Sequence, residues 1–533
     1  MKLLARPFTA SAHSPLRHPA TSAVLAIAAV LALTSCSSIR PKPVVDDEVL
    51  SLSRAGREAA RKDVEPITRP LSLQEAMARA LKYNLNQRAQ LMEQAIALNV
   101  WEAGKFDLLP RALATAGYRT RNRDLITRSE DSVTGQPSLA NPYISSDRNY
   151  GSADLGLSWS VIDFTVGYYN AKQNADRILI AAEHRRKAMH VLTRDVTIAF
   201  WRMVSAQRLV VEVRTTIITA EGALADAAQA QAEGLRSPAD NLRYQRQLLE
   251  NVRLLSSIEK EFAVARLTLA NLINAPLGQE FAVVEPSNAP NVRILDVSSE
   301  QMEIVALLQN ADFKEQIYNG RIAAQEVRKS IAKLLPNLSF SDTLRHSTDS
   351  YLINQSWNEA GIILSQNLTG LLSLPATKRM AKAGVTLAER RRVAAQMALL
   401  AQVHIARLQL SSAHQQLDLA DRIWKLDLDL TRLSANREDV QADSKLTKVS
   451  ADTAAIVSML RRYQALSEFN AAAGALQATL GMQIDVGSVN DLSLEELTNA
   501  IATWEESWQE GQLPEPLRTA RTTPNGSRSI VVR

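Results

Sequence analysis

One cysteine, Cys36, stands among 533 residues, so no intramolecular disulfide can staple the chain. Glycine and proline number only 19 each and aromatic residues make up 5%. So few turn formers and bulky core residues argue against sandwiches and nucleotide-binding folds, while abundant Ala, Leu, Gln, Arg and Glu favour extended helices. Charge is nearly balanced, with 61 Lys and Arg against 56 Asp and Glu. No basic cluster is interleaved with aromatics, which leaves nucleic-acid binding without an electrostatic footprint. There is no phosphate-cradling Gly loop, no Gly-x-Ser-x-Gly elbow and no Cys/His pair, so an enzyme is not expected. Histidines are few; His184 and His190 share one predicted helix but lie six residues apart, on different faces, without metal-ligand spacing. Both are expected to be solvated.

At the N-terminus, Lys2, Arg6 and Arg17 precede an apolar run over residues 23–33. About 11 residues are too few to span a bilayer but suit a secretory signal, assigned to residues 1–35. Leu33-Thr34-Ser35-Cys36 follows at the small-residue cleavage point and resembles the bacterial lipobox, whose cysteine is acylated. Cys36 is therefore expected to be lipidated; the alternative is a free thiol at the end of a signal. Ser37 beside it is similar to the residue that outer-membrane lipoproteins carry there. Residues 36–70 read as a polar, extended connector.

The rest of the chain says the same thing twice. Leu108-Leu109-Pro110 ends a helical pattern and opens an alternating one, and Leu334-Leu335-Pro336 does so again 226 positions later (336 − 110). Proline cannot continue a helix interior but can begin a strand, so each triplet is a helix-to-strand junction. The first repeat covers 71–282, with strands at 108–123 and 151–164, a long helix at 168–233 and a return helix at 237–275. After a linker over 283–297, the second covers 298–486, with strands at 336–346 and 358–372, a long helix at 376–435 and a return helix at 437–480. Residues 487–533 form a C-terminal segment with a disordered tail.

In the first long helix, Met189, Leu192, Val196, Ala199, Met203, Ala206, Val210 and Val213 recur in 3,4 alternation. Leu399, Val403, Ala406, Leu410, Ala413 and Leu417 repeat the pattern in the second copy. A sustained heptad seam specifies coiled-coil packing, because a 3.6 period would drift by about 20° per heptad. Residues 168–233 would span roughly 100 Å at about 1.5 Å per residue. The shorter helical stretches before the strands and after the tip are about half that length, so one long helix is expected to pair with two stacked ones.

The strands read in period 2. Ala153, Leu155, Leu157, Trp159 and Val161 alternate with Asp154, Gly156, Ser158 and Ser160, and Ala360, Ile362 and Leu364 alternate with Gly361, Ile363 and Ser365. Asp342 interrupts the apolar side of the weaker strand. Such alternation over about 10 residues suits a transmembrane barrel or a half-buried soluble hairpin. Four strands cannot close around an interior, and an open edge is not tolerated in lipid, so a barrel would have to be shared between chains.

The chain resembles the TolC-like outer-membrane efflux proteins, lipoprotein branch, over about residues 71–481. The resemblance is carried by the two Leu-Leu-Pro junctions, Ile162-Asp163-Phe164 with Gly167, the tip Glu233-Gly234-Leu235, and the return-helix ends Leu272-Ile273-Asn274 and Leu480-Gly481. It implies a mainly α chain: a coiled-coil α-barrel with four transmembrane strands per chain in a twelve-stranded trimeric β-barrel. It also implies a homotrimer in the outer membrane and its lipids, docked on a periplasmic adaptor and an inner-membrane pump, without a cofactor. Acidic residues after the tips ring the closed end in this family; Asp240 aligns with them, and Asp443 does so with a one-residue shift. Ser237-Pro238-Ala239-Asp240 also reads as a helix cap. At the second tip, Ala435-Asn436-Arg437-Glu438-Asp439 replaces the family's glycine turn. Tyr118, Trp159, Tyr168 and Tyr169 are candidates for interfacial girdles or for helix packing. The rival reading is a periplasmic coiled-coil adaptor or scaffold lipoprotein without a pore.

Overall fold

The computed structural model describes residues 42–138, 142–233, 237–286, 292–439, 445–482, 489 and 491–513. The chain divides into two compact units at Asp63. In the first, helix α1 (Asp46–Arg61) opens on Asp46, Asp47 and Glu48 and closes on Arg61, charges that complement the helix dipole. The connector expected to be extended is therefore helical here.

The second unit begins with α2 (Leu73–Tyr83) and α3 (Leu85–Lys105). Strands β1 (Arg111–Thr120), β2 (Ile126–Thr127), β3 (Tyr143–Ile144) and β4 (Asn149–Ser160) follow. Helices α4 (Val161–Ala232) and α5 (Pro238–Leu272) complete the first repeat. The second contains α6 (Ser299–Gln309), α7 (Ala311–Ala332), β5 (Asn337–Ser347), β6 (Ser356–Ser365), α8 (Leu368–Leu372), α9 (Leu374–Asp439) and α10 (Lys445–Leu480). Helix α11 (Leu494–Gln509) lies within the expected C-terminal segment and starts on a capping box between Ser493 and Glu496.

Three boundaries differ from the sequence expectation, each for a local reason. Helix α4 begins at Val161 because the Ser160 hydroxyl accepts from the Asp163 amide at 3.2 Å. Ile162-Asp163-Phe164, expected as a strand end, is thus the first helical turn. In the second copy the strand stops at Ser365 rather than 372, because the Asn367 side chain accepts from the Gly370 amide at 2.9 Å and starts α8. The turn expected at Ala435–Asp439 is absent, since α9 stays helical through Asp439. None of those five residues is a glycine or proline that would stop it.

Helix α4 is the spine. Helices α3 and α7 flank its first half and α5 and α10 its second, while α9 packs on α7 and α10. The heptad seams form as expected: Val196, Ala199 and Val213 are buried in α4, and Leu399, Val403, Ala406 and Leu410 in α9. Phe200, Trp201, Val204 and Leu209 are buried as well, off the seam. Here α2 also packs on α4, and α11 packs on α2, adding a further layer of helices over this part of α4.

The Leu-Leu-Pro junction is held by close packing. A Cβ on Gly167 of α4 would lie 3.1 Å from the Asp107 carbonyl oxygen, so its absence lets the junction sit against the helix. The four main strands form one antiparallel sheet, in the order β1-β4-β5-β6; β2 and β3 make a separate two-stranded ribbon. Among the described residues, no helix is long and apolar enough to cross a membrane.

Candidate functional site

The register sorts side chains onto two faces, because neighbours along a strand point to opposite sides and paired residues to the same side. One face carries the rows Ala114–Leu155–Leu344, Ala112–Leu157–Asp342–Ala360 and Trp159–Phe340–Ile362. The other, more polar face carries Thr115–Asp154–Arg345–Trp357 and Leu113–Gly156–Thr343–Glu359, with Ile363 beside Ser339. On this polar face Thr115 Oγ1 donates to Asp154 Oδ2 at 3.3 Å, and Arg345 pairs with Glu359 at 3.1 Å. The chain itself covers neither face. Leu155, Leu157, Leu344, Ile362 and Leu364 are 52–71% exposed, whereas a half-buried soluble hairpin would pack its apolar side. Asp342 interrupts this face as expected from sequence, set between Leu157 and Ala360, and Asn358 opposite Leu344 and His346 opposite Ala153 add polar groups toward the loop end.

Beyond the strand ends the connecting loops bind each other. Ser350 Oγ donates to Asp147 Oδ1 at 2.9 Å, and the Asp147 amide to Asp349 Oδ1 at 3.0 Å. The Asp147 amide, with smaller help from the Tyr351 amide, holds the Asp349 carboxyl below its ordinary range. At the helix-proximal end, Trp159 packs on Phe164 and Phe340 with ring centres 5.6 and 5.9 Å apart. Tyr118 is exposed at the far end of β1. Tyr168 and Tyr169 lie inside α4, edge to face at 5.5 Å, rather than in a strand.

The outer surfaces of the helices carry a signal that the seam analysis missed. Ile405, Leu408, Leu419, Leu426 and Leu430 on α9 are exposed, at spacings that keep a second apolar stripe. Met92, Ile96 and Val100 on α3, and Leu242 and Leu249 on α5, are exposed too. Within the chain α7 packs on both long helices, α4 and α9, but among the described residues its counterpart α3 packs on one of them, α4. Likewise α10 packs on both long helices, whereas α5 has α4 and only a short contact with α10.

At the first tip, Pro238 opens α5 as expected, yet the Ser237 side chain makes no capping bond. Instead the buried Asn241 ties the two helices, its Nδ2 donating to the Ala227 carbonyl at 2.8 Å and to Gln231 Oε1 at 3.3 Å. Asp240 is exposed and pairs with Arg243 at 3.2 Å. Asp443 and Cys36 fall outside the described residues, so Asp240 alone of the three predicted site residues is placed. Among the described residues no group of three or more acids, histidines or cysteines is arranged to hold a metal.

The two histidines behave differently. His184 is exposed and meets Glu315 at 3.0 Å. His190, also expected to be solvated, is not: its Nε2 is buried without a protein partner among the described residues. Burial, reinforced by the Arg186 charge, lowers its pKa to about 4. The middle layer of α2 and α11 accounts for this, and no one-dimensional pattern announced it.

No protein-family model matches the sequence, and no curated protein matches it at a significant level. Solved structures do match the fold. The chain superposes on the CmeC outer membrane channel of Campylobacter jejuni with a TM-score of 0.61 at 13% identity, over 80% of this chain and 89% of that one. For the open MtrE outer membrane channel of Neisseria gonorrhoeae the values are 0.58, 15%, 78% and 91%. For the outer membrane protein VceC of Vibrio cholerae they are 0.57, 13%, 77% and 96%.

Proposed function

We propose that this chain, which has the fold of the outer-membrane channels, is itself the outer-membrane component of an efflux or secretion assembly. It works as a trimer, with four strands from each copy closing a twelve-stranded barrel. The observation that carries this reading is the sheet: an uncovered apolar face, a hydrogen-bonded polar face, and free edges at β1 and β6. Lipid tolerates only a closed sheet, so the edges must meet other copies.

The helices support the same closure. Within the chain α7 and α10 bridge α4 to α9, whereas α3 and α5 present exposed apolar residues on their other side. The exposed stripe of α9 from a neighbouring copy is their matching partner. Two pseudo-repeats per chain would then give the tunnel near-sixfold symmetry. Substrates would pass without chemical change, delivered by an inner-membrane pump through a periplasmic adaptor docked at the tips. Lipidated Cys36 would add an anchor to the membrane, and Asp240 and Asp443 from three copies would ring the aperture.

Cross-linking in detergent-solubilised outer membranes tests the assembly. A ladder ending at trimer is expected, while monomer alone would sink the shared barrel and favour the adaptor reading. In planar bilayers, Asp443→Ala is expected to raise single-channel conductance or weaken cation selectivity, since carboxylates gathered at one axis attract cations. Wild-type values for both would remove it from the aperture. Mass spectrometry of the mature N-terminus decides whether Cys36 carries acyl chains.

A further inference from the structure

Between α2, α4, α10 and α11 lies a cavity of about 130 Å³. Its lining is unusually aromatic for this chain: Trp201, Phe469, Trp504 and Trp508 all face it, out of seven tryptophans and nine phenylalanines in the sequence. Trp201 and Trp508 are 4% and 5% exposed. Among the described lining residues Glu505 is the one acid. Its Oε2 accepts from Gln74 Nε2 at 2.7 Å, and among the described residues it has no ion pair. Arg194, the one Lys or Arg in the lining, pairs with Asp195 at 2.9 Å. Burial accordingly raises the Glu505 carboxyl, the Gln74 bond opposing it.

Two further polar atoms are left over. The Trp201 indole N–H and His190 Nε2 are both buried without a protein partner among the described residues, and both residues line this cavity. An unpaired buried donor or acceptor costs about 1–3 kcal/mol, so polar groups of this kind ordinarily have a partner. Glu505 calls for a cation, Trp201 for an oxygen acceptor, and neutral His190 offers an acceptor for a hydroxyl proton. Tryptophan faces attract organic cations, ammonium groups above all.

We propose that this cavity binds a small organic ammonium ion bearing a hydroxyl, the chemistry of choline and ethanolamine, with Glu505 as counter-charge, Trp504 and Trp508 as the aromatic walls, and Trp201 and His190 as partners of the hydroxyl. The proposal does not rest on the channel reading. Its occupation would brace α11 against α2 and α4.

Tryptophan fluorescence and calorimetric titration of the full detergent-solubilised protein with choline test this, at ionic strength matched with NaCl. A saturable response at one site per chain is expected, with at least tenfold weaker binding of 3,3-dimethylbutanol, choline's uncharged analogue. Glu505→Gln should weaken choline at least tenfold. Trp201→Phe, which keeps an aromatic, if smaller, side chain and removes the N–H, should weaken choline while leaving tetramethylammonium unchanged, and it decides the matter if the Glu505 variant fails to assemble. No saturation by roughly 10 mM choline, a very weak affinity, would overturn the proposal. So would equal binding of the neutral analogue, or equal losses of choline and tetramethylammonium in Trp201→Phe.

Discussion

Asn84 and Asn310, 226 residues apart (310 − 84), do the same work in the two repeats. Asn84 Nδ2 donates to the Leu272 carbonyl at 2.9 Å, and Asn310 Nδ2 to the Thr479 carbonyl at 3.0 Å. Each side-chain oxygen meanwhile caps the next helix, Asn84 Oδ1 accepting from the Gln87 amide at 3.1 Å and Asn310 Oδ1 from the Phe313 amide at 3.0 Å. The offset equals that between the two Leu-Leu-Pro prolines, so the duplication preserves a helix break as well as a strand start. Each asparagine fastens the end of a return helix to the place where two stacked helices meet.

Replacing either asparagine removes a cap and strands a carbonyl, so Asn310→Ala is expected to destabilise the fold by about 2–3 kcal/mol. Asn310→Asp keeps the cap acceptor but loses the donor, and should fall between wild type and Ala. Helix melting followed by circular dichroism checks the order; an Ala variant that melts with wild type would leave the bridge without energetic weight.

Gly481 shows how tightly that joint is packed. Its φ is +71°, and a Cβ there would lie 2.4 Å from the Gln309 carbonyl carbon and oxygen, backbone atoms that cannot rotate away. Gly481→Ala is expected to abolish assembly or cost at least ~3 kcal/mol, through strain together with overpacking. Gly222, mid-helix in α4 with nothing within 4 Å of its would-be Cβ, is the control. Gly222→Ala should stabilise by up to about 1 kcal/mol.

On the apolar face of the sheet, Asp342 stands directly across from Leu157 and Ala360. If that face meets lipid, Asp342→Leu should raise the temperature at which trimers dissociate on a denaturing gel, since a lipid-facing acid costs on the order of 1 kcal/mol. Leu157→Asp should lower it. The opposite order would place this face away from hydrocarbon.

His190 makes stability depend on pH. Its pKa of about 4 in the fold lies below the ordinary 6.5, so between those values the unfolded chain binds more protons. This contribution is present above pH 6.5 and is lost as pH falls through 4, by at most about 3 kcal/mol. His190→Gln should therefore gain on the wild type as pH drops from 7 to 4, measured as the difference in melting midpoint. Glu505 and Glu183, raised by burial, act in the opposite direction in both proteins, so the difference isolates the imidazole. A constant difference across that range would count against a buried neutral His190.

Much of this architecture was legible because it is periodic. The α4 and α9 seams repeat every seven residues and the strands every two, and each period fixes which side chains share a face before any tertiary contact forms. Duplication doubled the signal. Single-residue events were harder to read. The starts of α4 and α8 turned on hydrogen bonds accepted by the Ser160 and Asn367 side chains, competing locally with strand continuation. Ser237 had the sequence of a cap but makes no such bond, while its neighbour Asn241 holds the tip together.

The sequence sufficed for two repeats, two long seams and four two-faced strands, because these follow from spacing along one chain. Only the tertiary structure decided that α2 and α11 layer over α4 where Phe200, Trp201 and His190 are buried, enclosing the cavity around Glu505. Those groups come from helices hundreds of residues apart. Their burial depends on which surfaces dock, and no local period encodes that.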